Sequence, residues 1–302
     1  MYTITKGYVG DYQLVTLMNT ETLEYVSVIP ELGGRVYDIC LLANGKPLSI
    51  LEKEEKVEDM INERWYRGVI LFPFPNRVNA GVYEWEGETY KLPVNMPSEG
   101  HAIHGILYNK AFFLVEDDAF TTGSFSCVYQ YSGSEAGYPF SCSVKYTFSL
   151  IEGGFSCNVS VINTGEMNMP FGVGWHPYFM LGTDVDNLML TLPAVASISV
   201  DEKMIPTGEK EGMGDYVQPS LIFDTEFDTG FLITENSNVA NVVVENKELG
   251  VVLTVWQETG EKKFSYVQVF TPPGRRSIAI EPMTCPADAF NSKESLISLV
   301  KG

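Results

Sequence analysis

The chain has 302 residues, 45% of them hydrophobic and 12% aromatic, enough to fill a sizeable core as one large domain or two ordinary ones, which excludes a disordered chain. Its formal charge of −19, from 39 acidic against 20 basic side chains, excludes nucleic acid as an expected partner, because little here would displace the counterions of a phosphate backbone. No apolar run approaches the roughly 20 residues that cross a bilayer, and the start, MYTITKGYVGDYQ, lacks the basic and then apolar stretches of a leader; a soluble cytoplasmic protein with no membrane partner is expected.

In chain order, β-rich runs come first at residues 25–28 and 36–42. The charged run EKEEKVEDMINER over residues 52–64 is a candidate for one short helix, read as a solvated surface. Phe72-Pro73-Phe74-Pro75 then leads into Asn76-Arg77, where an arginine sits in a rigid loop. From residue 125 to 161 the pattern has period two: Cys142, Val144, Tyr146, Phe148 and Leu150 alternate with small polar residues, and Phe155, Cys157, Val159 and Val161 do the same after Gly153-Gly154. That is an antiparallel hairpin, and its register sets Cys142 opposite a residue near Asn163, not opposite Cys157. Further β-rich runs fall at 187–192, 240–244, 251–256, 266–270 and 278–280, and residues 292–300 are a second helix candidate. With no linker and no fixed repeat, the expected fold is all-β, one large antiparallel sandwich domain over residues 1–302. The five cysteines form no CxxC and are read as reduced core thiols; with three histidines in the chain, no metal site is expected.

The candidate chemistry is sparse. In Phe171-Gly172-Val173-Gly174-Trp175-His176-Pro177-Tyr178-Phe179, alternation puts Gly172, Gly174, His176 and Tyr178 on one face, and the two glycines would leave space beside the imidazole. Read alone, the segment fits either a polar-ligand floor or a satisfied core histidine. In Ile278-Ala279-Ile280-Glu281-Pro282 a carboxylate ends an apolar strand, where burial would raise its pKa unless a donor or cation held the charge; a strand-end glutamate paired with an arginine fits equally. His101 and His104 would face opposite ways on a strand, so at most one belongs to a site. No phosphate loop, GxSxG, HExxH or EF-hand motif occurs, and no cofactor is expected.

Taken together and in order, several segments resemble the aldose 1-epimerase family, the galactose mutarotases. They are Pro30-Glu31-Leu32-Gly33-Gly34-Arg35, Asn76-Arg77-Val78-Asn79-Ala80-Gly81 with the hairpin over 83–95, Ile103-His104-Gly105, Asn163-Thr164-Gly165, Gly174-Trp175-His176-Pro177-Tyr178-Phe179 and Ile280-Glu281-Pro282 through Asn291. The resemblance implies a β-supersandwich and a cofactor-free interconversion of the α and β anomers of a free monosaccharide by a monomer or homodimer. It implies His176 as general acid on the ring oxygen and Glu281 as general base on the anomeric hydroxyl, placed on opposite sides of the sugar ring, with a nearby carboxylate helping to protonate the imidazole. Arg77 with Asn76, His104 and Asp228 would bind hydroxyls, and Tyr178 or Phe74 would cover an apolar face of the ring. The family's His-Gly-Gly is His104-Gly105-Ile106 here, which weakens any claim to galactose. Two alternatives follow: a hexose-6-phosphate 1-epimerase, with Arg35, Arg64 and Arg67 as candidates for the phosphate, and a non-catalytic carbohydrate-binding module. A glycoside hydrolase using Glu281 and Asp228 is a further reading, disfavoured by histidine at the acid position.

Overall fold

The computed structural model describes residues 1–54, 56–62, 65–115, 123–212 and 215–302. The alternating hairpin forms as its pattern requires, with Cys142–Ile151 paired antiparallel to Gly154–Asn163 and Gly153 taking the turn at φ +63°. Cys142 lies opposite Asn163 and Cys157 opposite Phe148, and all five cysteines are free. Val144, Tyr146 and Phe148 are fully buried, because every second side chain of this strand enters the core.

The hairpin belongs to a four-stranded sheet with Phe113–Val115 and Ser124–Tyr131, and a five-stranded meander over the first 49 residues packs nearby. The sheet that matters for function has eight strands. Its path runs through Pro206–Gly212, Val195–Val200, Asp228–Ile233, Tyr266–Phe270, Ile278–Met283, Gly174–Trp175 and Ile70–Leu71, and Tyr178–Phe179 also pairs with Ile278–Met283. All six residues of Ile278–Met283 are buried, so this strand runs through the middle of the molecule. One connected hydrophobic core reaches from Val15 to Ile297.

Three local expectations change. The helix within residues 52–64 is the single short turn Val57–Ile61, and Arg64 lies outside the described residues. Residues 292–300 are not helical: the helix is Ala289–Ser292, and Ile297–Leu299 is a strand, because pairing Ile297 with Phe171 buries the isoleucine. The run over 171–179 is broken into short strands, Met169–Phe171, Gly174–Trp175 and Tyr178–Phe179. No helix among the described residues is long and apolar enough to cross a membrane.

Replacing Phe148, which is fully buried and faces three other aromatic rings, by alanine should cost about 3–5 kcal/mol. A urea-denaturation midpoint within error of the wild type would show that this face of the hairpin does not carry the core.

Candidate active site

Strand register assembles the first half of the site. Residues directly opposite one another on paired strands share a face, and the register here reads Asp228 opposite Phe270, Phe270 opposite Ala279, and Ala279 opposite Tyr178. Two residues along, Gly230 lies opposite Gln268 and Gln268 opposite Glu281. Asp228, Gln268, Glu281 and Tyr178 therefore rise from one face of the central sheet. Small residues at Gly230 and Ala279 keep that face low.

Loops supply the second half. Asn76 and Arg77 end the proline-rich turn, and the Asn76 carbonyl accepts a hydrogen bond from His104 N–H at 2.9 Å. His104 takes a left-handed backbone, φ +61°, and the next residue must be glycine: at φ +78°, a Cβ on Gly105 would meet the Phe72 carbonyl oxygen at 2.1 Å. His104 is thereby turned toward His176, with ring centroids 5.0 Å apart. His101 faces elsewhere: its Nδ1 accepts from Ala80 N–H and its Nε2 contacts the Lys203 carbonyl, each at 3.1 Å. Of the pair, His104 alone belongs to the site.

At the centre, His176 Nε2 lies 3.5 Å from Glu281 Oε1, and both residues are buried. His176 stacks on Tyr178 with centroids 4.9 Å apart and ring planes 8° apart. A chain of polar groups closes one side. Arg77 donates from Nε to Glu99 Oε2 at 2.7 Å, from Nη2 to Glu99 Oε1 at 3.3 Å and from Nη1 to Asn76 Oδ1 at 3.1 Å. Asn76 Nδ2 donates to Gln268 Oε1 at 3.4 Å, and Gln268 Nε2 to Asp228 Oδ1 at 2.7 Å. His104 Nδ1, His176 Nδ1 and Glu281 Oε2 are buried yet have no hydrogen-bond partner. Buried polar atoms normally find one, so orphans on three residues packed around His176 mark a candidate place for a polar ligand.

Burial also sets the charges. It pushes the Glu281 carboxyl well above the usual carboxylate range, Asp228 adds to the rise, and Arg77 opposes it. It lowers His176 to about 3, with the positive charge of Arg67 acting in the same direction. His104 is likewise held well below the ordinary histidine value by burial, by His176 and by Arg77. Asp228 keeps an exposed side chain at the mouth, but the protein behind its carboxyl still raises it, against the pull of Arg77 and the Gln268 hydrogen bond. The protonation of His176 expected in the sugar complex therefore starts, in the free protein, from an imidazole whose charging burial disfavours.

Other expectations are corrected by packing. The space beside Gly172 and Gly174 is filled, not empty: a Cβ would strike Cys285 Sγ at 2.3 Å and Pro75 Cβ at 2.9 Å respectively. Tyr178, 2% exposed, spends its ring on His176 and Arg67, and Phe74, also 2% exposed, packs on Phe290, so neither offers a free face to a sugar. Glu281 and His176 stand side by side, not across a ring from each other. Gln268 and Glu99 were missed. Gln268 had a signal, as the one amide in the buried strand Tyr266–Phe270; Glu99, in a loop, had none. Among the described residues no group of three or more His, Cys, Asp and Glu could hold a metal ion.

The model of the aldose 1-epimerase family matches residues 13–302. The chain belongs to the aldose 1-epimerase family. It is 31% identical over 242 residues to the uncharacterized protein YihR of Escherichia coli, covering 78% of this chain and 75% of that protein. It is 27% identical to the galactose mutarotase of Rattus norvegicus over 54% of this chain, and it spans 48% of that enzyme's length. The fold is similar to that of a galactose mutarotase-like protein from Clostridium acetobutylicum, with a TM-score of 0.84 and 20% identity over 99% of this chain and 94% of that one. The all-β fold is therefore of the galactose mutarotase type. This aldose 1-epimerase family member carries its buried polar cluster on one face of its eight-stranded sheet.

The desolvation of the two site histidines is directly measurable. In proton NMR titrations the carbon-bound ring protons of His104 and His176 should stay flat from about pH 8 to about pH 5, and an inflection from either near the ordinary value of about 6.5 would contradict their burial.

Proposed function

We propose that this protein interconverts the α and β anomers of an uncharged aldose, with His176 as general acid and Glu281 as general base. The carrying observation is the 3.5 Å contact between His176 Nε2 and Glu281 Oε1, flanked by buried atoms that lack partners. The ring oxygen and the anomeric oxygen of an aldopyranose are both bonded to C1, so two groups side by side reach both.

The proton count closes. The anomeric hydroxyl gives its proton to the Glu281 carboxylate while His176 Nε2–H gives one to the ring oxygen; the C1–O5 bond breaks and the C1 aldehyde forms. Rotation about C1–C2 presents the other face, and the same two groups reverse the transfers. The pair holds one proton before and after. In the empty site burial favours the neutral arrangement, with that proton on Glu281 beside an uncharged His176, so the proton that His176 needs is stored one contact away. The pair titrates as a unit, and its apparent pKa values belong to both groups. Arg77 and His104 orient and polarise the sugar oxygens, while Asn76, Gln268 and Asp228 meet its outer hydroxyls.

A phosphorylated sugar fits less well. Arg67 is ion-paired with Glu52 and Glu54, and Arg77 with Glu99, so both site cations already face carboxylates. Arg35 is buried, donating to the Met60 carbonyl at 3.4 Å. An anion entering here would meet Asp228 without compensating charge. A binding module without catalysis would have no need to bury an acid–base pair in contact.

The test is polarimetry on freshly dissolved α-D-glucose and α-D-galactose. Wild-type protein should speed the approach to anomeric equilibrium for at least one, and His176→Asn and Glu281→Gln should each lose about 10²–10⁴-fold with the fold intact. Near-normal activity in either variant removes that residue from the mechanism, and wild-type sugar binding without acceleration favours the binding module. Because the active pair carries one proton and burial raises the affinity of Glu281, kcat/KM should be flat through neutral pH and fall on the alkaline side as that proton is lost. A rate that climbs steadily with pH would contradict the proton count.

A further inference from the structure

The segment Trp65-Tyr66-Arg67-Gly68 forms a wall on the far side of the histidines, and none of its residues is needed for the proton transfers above. Tyr66 holds a left-handed backbone, φ +52°, uncommon for a tyrosine, and lays its ring on His104 at 4.7 Å between centroids. Arg67 follows. Its guanidinium carbon lies 5.2 Å from the centre of the Tyr178 ring and 5.7 Å from that of Trp65. Two carboxylates hold it there: Nη1 pairs with Glu54, and Nη2 lies 3.4 Å from Glu52 Oε2. Glu52 also accepts the Ser277 hydroxyl and Arg276 Nη2, which ties the wall to the strand that carries Glu281. The backbone is joined to His176 in both directions: Gly68 N–H donates to the His176 carbonyl and His176 N–H to the Val69 carbonyl, each at 2.9 Å.

We propose that Arg67 is a positioning residue of the anomerase site, clamping Tyr178, the ring on which His176 is stacked. The proposal rests on the epimerase reading above. Arg67 is turned to the ring of Tyr178, with its two fork nitrogens held by Glu52 and Glu54 and its buried Nε left without a partner. Its guanidinium lies over two aromatic rings while gripping two carboxylates, a combination that an ammonium cannot reproduce. The groups facing His176 from the surrounding elements are Glu281 from its strand, His104 from its turn and Tyr178 from its own segment; Arg67 lies over Tyr178, and Arg77 and Asp228 act on Glu281. Of these, Arg67 is the cation that opposes protonation of His176, and so helps keep the stored proton on Glu281 until sugar enters.

Two substitutions separate the clamp from the charge. Arg67→Lys keeps the charge and loses the two-carboxylate fork: kcat should fall roughly 10–100-fold from misplacement of His176, with the acid limb of the pH–rate profile unmoved. Arg67→Gln loses both: kcat should fall at least as far, and the acid limb should move to higher pH together with the NMR titration of His176. If the lone glutamine leaves Glu52 and Glu54 too repulsive for folding, Arg67→Gln with Glu54→Gln restores the balance and carries the same expectation. A His176 titration unchanged in both glutamine variants, or lysine and glutamine variants with the same limb and titration, overturns the proposal. If wild-type protein accelerates no sugar, the epimerase reading fails by itself, and the NMR titrations still decide whether Arg67 sets the charge of His176.

Discussion

His176 and Glu281 are ionisable, in contact and almost without access to water. At such burial each separated charge costs several kcal/mol, which raises the carboxyl and lowers the imidazole, and the proposed mechanism has the pair uncharged with a single proton between its members. That shared proton is the constraint on which the site depends. It requires a dry floor, which the completely buried strand Ile278–Met283 supplies, and Arg77, the cation that opposes the rise of Glu281, is ion-paired with Glu99. In the proposed reading, a molecule with several hydroxyls, rather than a charged one, completes the hydrogen bonds of the surrounding polar atoms.

The fold provides this environment through strand register. One antiparallel sheet brings Asp228, Gln268, Glu281 and Tyr178 from four separate strands to a single face, and a one-residue slip in any of them would send its functional side chain to the opposite side. Loops then deliver Arg77 and His104, and close contacts fix them: Gly105 fits against Phe72 because it has no Cβ. The rigidity of the sheet and the tight packing of the loops make the same point physically, since proton transfer at C1 tolerates little misplacement.

Much of this was legible in the residues. The hairpin around Gly153-Gly154, its register and the free cysteines follow from alternation alone, because small polar and large apolar side chains alternate there without interruption. His176, Glu281, His104, Arg77, Asn76 and Asp228 were reached through motifs, and the structure brings them together. Local pattern misled where packing is non-local. The glycines beside His176 suggested a hollow, but Cys285 and Pro75 arrive from distant segments to fill it. Ile297 suggested a helix, but it pairs with Phe171. The protonation state of His176 was also invisible, because it depends on how much protein surrounds the ring and on Arg67 across the wall, and neither is encoded within its own segment.

The most direct test of the shared-proton account is difference infrared spectroscopy of the free protein at neutral pH, comparing wild type with Glu281→Gln. The account predicts that the wild type shows the carbonyl stretch of a protonated, poorly solvated carboxylic acid and that the variant lacks it. A difference confined to the bands of an ionised carboxylate would mean that Glu281 is charged in the empty site, and the neutral pair at its centre would have to be abandoned.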